Sequence, residues 1–178
     1  MAHKTHEDRT EEQNLTRLKT GHTNLKSLVV KYGLSSEEYF TESHRHPFLI
    51  QTTGFKDKSA ETRRNELMEC PVFYLKKVSR DGDQSKMTVG RNPSCDIYIG
   101  DNRISSAHSY FEKKEAGWII ADAKSRNGTY VKDKRLDPFS ECPLRSPTEI
   151  KFSKRISLVF VDAKTIFSYI IELYNSPR

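Results

Sequence analysis

Two serines and a histidine stand within four positions of one another in the run RISSAHSYFE: Ser105, Ser106 and His108. A hydroxyl beside an imidazole can be a nucleophile with its general base, provided an acid orients the ring and donors stabilise an oxyanion. Asp122, in IIADAKS, is the acid whose position would suit such a set. The same hydroxyls can instead donate to a bound anion. Two neighbouring runs favour this second chemistry. TVGR closes on Arg91, whose planar fork of donors can grip a phosphate through two bonds. KSRNGTY holds Asn127-Gly128, a tight-turn dipeptide whose amide both donates and accepts, so it can clamp an extended peptide. Arg103 adds a cation just before the serines. Spacing alone does not bring the three runs together.

The elements that would position them are strands. From Cys70-Pro71 onward, VFYLKKVS, KMTVG, DIYI, HSYFEKK, GWIIADA, GTYV, TEIKF and ISLVFVD are short runs rich in β-branched and aromatic residues. Turn clusters such as RDGDQ, RNPSCD, GDNR and KSRNG separate them. Many short strands with frequent turns predict an all-β sandwich or barrel. The closing DAKTIFSYIIELYNSPR repeats Ile166, Ile170 and Leu173 at helical spacing, with Asp162 or Thr165 as a cap and Pro177 past the end. A helix packed back on the sandwich is expected over 163–178, with a last strand as the alternative because IFSYII is also β-prone.

The first 69 residues are different in kind. Residues 1–24 are polar and Thr-, Glu- and His-rich, which predicts a flexible tail. Residues 25–69 form an extension or linker that is partly helical. Leu25, Leu28, Val29 and Tyr32 fall at helical spacing before Gly33, and Ser35 with Glu38 has the spacing of a capping box. HPFLIQTTGF suggests an extended segment turning at Thr53-Gly54, and KDKSAETRRNELME a linker or solvated helix.

Composition narrows the function classes. The chain has 178 residues, of which 35% are hydrophobic and 30% charged, so part of it is expected to be solvated. Residues 1–69 are balanced in charge, so the net +6 lies beyond them and favours anionic partners. No apolar run is long enough for a membrane span, and MAHKTHEDRTEEQ lacks the apolar core of a signal peptide. Three cysteines without a CxxC fit a reducing compartment, and a cytoplasmic protein is expected. Five of the six histidines, His44 and His46 among them, lie in the first 46 residues without metal-ligand spacing, so no metal or cofactor is expected.

In this order and at these separations, VGR, ISSAH and DAKSRNGTYV resemble the forkhead-associated (FHA) domain. The resemblance covers roughly residues 70–162 and implies an FHA-like β-sandwich of two antiparallel sheets, not an enzyme, that binds phosphothreonine peptides with loops at one end. It implies that Arg91 and Ser105 hold the phosphate and that Asn127 holds the peptide backbone. Gly90, His108 and Gly128 resemble supporting positions, which makes His108 a structural hydrogen-bonder and not a base. Arg103 resembles a position that reads the side chain three residues after the phosphothreonine, where an arginine favours an acid. Arg126 resembles a variable position facing the peptide. Ser106 departs from the pattern, since a basic residue is common there. It can still donate a hydrogen bond, and a loss of about 1 kcal/mol is expected.

The resemblance thus implies an adaptor in Ser/Thr-kinase-dependent signalling whose partner is a phosphothreonine-containing protein. Its own tail is one candidate, through Thr5 in KTHEDRTEE, at high effective concentration. Two alternatives stay open: an FHA-fold interaction module with weak or no phosphate dependence, and a basic β-domain binding nucleic acid. The second is disfavoured because the basic runs are short and have no interleaved aromatic platform.

Overall fold

A computed structural model of the chain describes residues 23–52, 60–77 and 85–176. The expected turns at Thr53-Gly54 and in RDGDQ, and the tail with Thr5, lie outside the described residues. In chain order the elements are α1 (Leu25–Tyr32), α2 (Glu37–Ser43), β1 (Phe48–Gln51), α3 (Ala60–Met68), β2 (Val72–Tyr74), β3 (Lys86–Gly90), β4 (Ile97–Tyr98) and β5 (Ser109–Lys114). There follow β6 (Gly117–Asp122), β7 (Thr129–Val131), β8 (Lys134–Arg135), β9 (Cys142–Leu144), β10 (Thr148–Phe152), β11 (Ile156–Val161) and α4 (Ala163–Asn175).

The strands form two sheets, ordered β2-β1-β11-β10-β7-β8 and β4-β3-β5-β6-β9. This is the all-β sandwich expected from the strand-and-turn pattern. One pair departs from a purely antiparallel arrangement: β4 runs parallel to β3, with Val89 opposite Ile97 and Gly90 opposite Tyr98. The loop between them, a bend and turn over Arg91–Asp96, lets the chain cross and run on in the same direction. Between the sheets lies one core. Leu49, Phe73, Ile150, Phe152, Leu158 and Phe160 of the first sheet meet Met87, Val89, Ile97, Phe111 and Ile120 of the second.

Among the described residues before Cys70, Phe48–Gln51 are built into this sandwich, so the boundary drawn there from composition does not separate two units. β1 inserts between β2 and β11, with Leu49 opposite both Phe73 and Phe160. Side chains of a strand alternate between faces, and here both faces are buried. Leu49 points into the sandwich, while Phe48 and Ile50 join Val72 and Val161 on the outside. That outer face would be an apolar surface open to water. Leu25, Leu28 and Val29 of α1, Phe40 of α2, and Ile166, Phe167, Ile170 and Leu173 of α4 cover it as a second core. α4 is therefore a helix, and the β-prone IFSYII is not a strand: its helical-period residues find this apolar face.

Caps fix where the helices start. Asn24, assigned to the tail by composition, accepts from the Ser27 N–H and caps α1. For α2 the cap is Ser36, which accepts from the Tyr39 N–H, so the expected capping box at Ser35 and Glu38 is not formed. Asp162 caps α4 by accepting from the Thr165 N–H. His44 and His46 serve packing: His44 stacks on Phe40 at 4.3 Å, and His46 meets Tyr74 and Trp118 edge-on. No helix among the described residues is long and apolar enough to cross a membrane.

Candidate functional site

At one end of the sandwich three loops meet: β3–β4 with Arg91, β4–β5 with Arg103, Ser105 and Ser106, and β6–β7 with Arg126 and Asn127. Together with Asn102 and Ile104 these six residues line one open groove of roughly 250 Å³. The structure therefore brings together every ligand-facing residue singled out from the sequence.

Each contact group is held by backbone around it. Arg91 donates from its backbone N–H to the Ser105 carbonyl at 2.9 Å and from Nε to the Ile104 carbonyl at 3.2 Å. That fixes the stem of the guanidinium and leaves the two terminal nitrogens as the fork. The Ser105 hydroxyl accepts from the Arg126 N–H at 3.0 Å, so its own hydrogen is free to turn toward a ligand. Asn127 donates through Nδ2 to the Arg103 carbonyl at 2.7 Å, which ties the second loop to the third. Arg103 is turned back on Asp101, two positions before it, and donates to its carboxylate through Nε at 2.8 Å. The exposed Ser106 contributes its carbonyl, which accepts from the Asn92 N–H and the Cys95 thiol.

The supporting positions act from behind. His108 is fully buried; its Nδ1 accepts from the Ser105 N–H at 3.1 Å and its Nε2 faces the Gly128 carbonyl at 3.3 Å. Nδ1 is an acceptor, so the proton is on Nε2 and the ring is neutral. Burial pushes its pKa down, against the opposing pull of the Gly128 carbonyl and of Asp122. The ring thus reaches the backbone of Ser105 and not its hydroxyl. Gly90 lies so close to the next loop that a Cβ there would stand 2.1 Å from the Ser106 carbonyl oxygen. Gly128 has φ +80°, a left-handed turn conformation that suits glycine.

Sequence reasoning missed the network that shapes the third loop. Asp122, weighed only as a catalytic acid, is buried and accepts from Ser125 N–H at 2.9 Å, Ser125 Oγ at 2.6 Å and Thr129 Oγ1 at 2.6 Å. Ser125 Oγ in turn accepts from the Gly128 N–H at 3.0 Å, and Thr129 meets Ser109 hydroxyl to hydroxyl. Burial alone would raise the Asp122 carboxyl, but the bonds from Ser125 and Thr129 outweigh it and hold it below its ordinary value. The spacing Asp-x-x-Ser-x-x-x-Thr was the available signal, since short hydroxyl side chains near an acid commonly close such turns.

The two-sheet sandwich thus carries a polar groove on loops at one end. Residues 87–153 are an FHA domain, matching the model of that family over this span. Among curated relatives, the oxoglutarate dehydrogenase inhibitor of Corynebacterium diphtheriae is 32% identical over 80 residues, 45% of this chain and 53% of that one. The glycogen accumulation regulator GarA of Mycolicibacterium smegmatis is 32% identical over 79 residues, 44% of this chain and 48% of that one. The matched span is thus about half the length of these relatives. Among solved structures, an engineered FHA domain with a Myc-pTBD peptide aligns with TM-score 0.49 and 20% identity, over 70% of this chain and 97% of that one. The FHA domain of a hypothetical protein of Arabidopsis thaliana aligns with TM-score 0.47 and 23% identity, over 66% and 85%.

Proposed function

We propose that the groove binds a phosphothreonine-containing segment of a protein, and that the chain is a non-catalytic adaptor in Ser/Thr-kinase signalling. The observation that carries this reading is the convergence of Arg91, Ser105 and Asn127 on one groove from three separate loops. Arg91 and Ser105 supply a guanidinium fork and a hydroxyl for the phosphate, and Asn127 an amide for the peptide backbone. A phosphothreonine brings about −1.5 to −2 charges and three strong acceptor oxygens. Charge-assisted bonds contribute roughly 1.5–3 kcal/mol each. Two or three of them bridge the gap of about 4 kcal/mol between millimolar and micromolar binding. The relatives named as a regulator and an inhibitor are in keeping with a domain that acts by holding a partner.

The partner can be the chain's own tail. Thr5 lies 18 residues before Thr23. A linker of that length spans up to roughly 60 Å, several times the length of a strand here. Phosphorylated Thr5 would then compete with other ligands at high effective concentration.

The second reading, a module without phosphate dependence, has Ser106 in its favour, because its side chain leaves the groove without one basic group. Calorimetric titration with a degenerate phosphothreonine library, next to its unphosphorylated and phosphoserine counterparts, decides between them. Micromolar binding of phosphothreonine peptides alone supports the proposal, and equal binding of unphosphorylated peptides contradicts it.

A further inference from the structure

Asp101 lies beside the groove, two residues before Arg103. Its Oδ1 accepts from the Arg103 backbone N–H and from Nε, each at 2.8 Å, and its Oδ2 accepts from Nη2. This is the bidentate fork that a carboxylate and a guanidinium form at their best, with a backbone bond added. The pair is partly exposed: the Arg103 side chain is 40% and the Asp101 side chain 26% accessible. A ligand can therefore reach the guanidinium, but finds it already occupied. The Arg103 carbonyl is separately held by Asn127, so the residue's backbone is fixed while its side chain is shared.

We propose that Asp101 is an intramolecular competitor for Arg103 and sets the specificity of the groove by suppressing selection for an acidic residue in the ligand. The inference rests on the phosphothreonine reading above. An incoming carboxylate offers Arg103 the same chemistry that Asp101 already supplies. It must displace an identical group that is tethered two residues away, at an effective concentration no free ligand matches. The exchange makes no net bond, so a peptide acid adds little to affinity. The Arg103 bonds hold the Asp101 carboxyl down to about 2, so the competitor stays charged at any pH where the protein works. The phosphate itself is carried by Arg91 and Ser105 and is untouched by this contest.

The test compares the full chain with Asp101→Asn and with the double variant Asp101→Asn/Arg103→Ala. The asparagine keeps an Oδ1 to accept from the Arg103 N–H, but loses the charge and replaces the Oδ2 that accepts from Nη2 with an NH2 that cannot accept. Each protein is titrated with phosphothreonine peptides carrying Asp or Ala at each of the four positions after the phosphothreonine. For the natural chain, Asp and Ala peptides are expected to bind within about twofold of one another at every position. In Asp101→Asn an acidic preference of about fivefold, the size of an exposed ion pair, should appear at one position. The double variant should lose it. An acidic preference of that size in the natural chain, or none in Asp101→Asn, overturns the inference while leaving the phosphothreonine reading standing. If no phosphothreonine peptide binds any of the three, that reading fails and the inference with it.

Discussion

His108 and Ser105 are joined through the serine's backbone: the imidazole Nδ1 accepts from the Ser105 N–H at 3.1 Å. The serine hydroxyl is left for the groove, and the ring works as a buried, neutral strut between the second loop and the Gly128 carbonyl. A strut of this kind has a pH signature. Burial holds His108 below its ordinary value of 6.5. The unfolded chain therefore takes up a proton that the folded chain refuses. The resulting stability is complete above pH 6.5 and is lost as pH falls through the folded pKa. His46, lowered by burial and by Lys76 and Lys113, acts in the same direction. Denaturant melts between pH 7.5 and 5 should show falling stability. His108→Asn should flatten part of that slope and leave the His46 part. An unchanged slope in the variant would contradict the neutral strut.

Asp122 organises the third loop from below, by accepting three hydrogen bonds from Ser125 and Thr129. Asp122→Asn removes the charge and turns one acceptor into a donor facing two hydroxyls. A destabilisation of about 1–3 kcal/mol is expected, the cost of buried groups left without partners. Phosphopeptide affinity should fall as well, because Ser125 sets the Gly128 N–H and with it the Asn127 turn. Chemical denaturation and peptide titration of the same variant check both. Full affinity in Asp122→Asn would show that the turn does not need the network.

Gly90 is required by its neighbour and not by its own backbone. Its absent Cβ makes room for the Ser106 carbonyl, and an added methyl would also press on the Cys95 sulfur. Gly90→Ala should shift the Ser105–Ser106 segment and cost about 1–3 kcal/mol, the range for overpacking. Weaker phosphate binding with a retained β-sheet spectrum is the expected outcome of titration and circular dichroism.

Much of the domain could be read from the residues. Short runs rich in β-branched and aromatic residues, set off by turn clusters, marked the strands from Val72 on apart from β8 and β9, and the Asn127-Gly128 turn and the Gly90-Arg91 strand end were local signals. Three features were not legible, each for a physical reason. β8 and β9 are two and three residues long, and KR and CPL have no hydrophobic period to detect. β1 lies within the run expected to be extended, but its place in the sandwich was not legible: both its faces are buried, so FLIQ shows no alternation. The convergence of the loops depends on long-range pairing that composition does not encode, and the Asp101–Arg103 pair, though only two residues apart, depends on the loop conformation that turns the guanidinium back on the carboxylate.

The helical layer makes a prediction of its own. Phe40 is fully buried between α2 and the outer face of the first sheet, packed against Phe48 and Phe167. Phe40→Ala should cost about 3–5 kcal/mol. The layer covers a face away from the groove, so at temperatures where the variant stays folded its phosphopeptide affinity should equal that of the natural chain. Thermal melting and titration at low temperature separate the two effects.

The most direct test of the central claim is the affinity of Arg91→Ala for a phosphothreonine peptide that the natural chain binds. Arg91 is exposed at the groove and its side chain is anchored through Nε to a loop carbonyl, so the fold should survive. Loss of one charge-assisted contact to phosphate predicts a drop of at least about tenfold, with binding of the unphosphorylated peptide unchanged. Undiminished phosphopeptide affinity in a folded Arg91→Ala chain would contradict the claim that this groove reads phosphate.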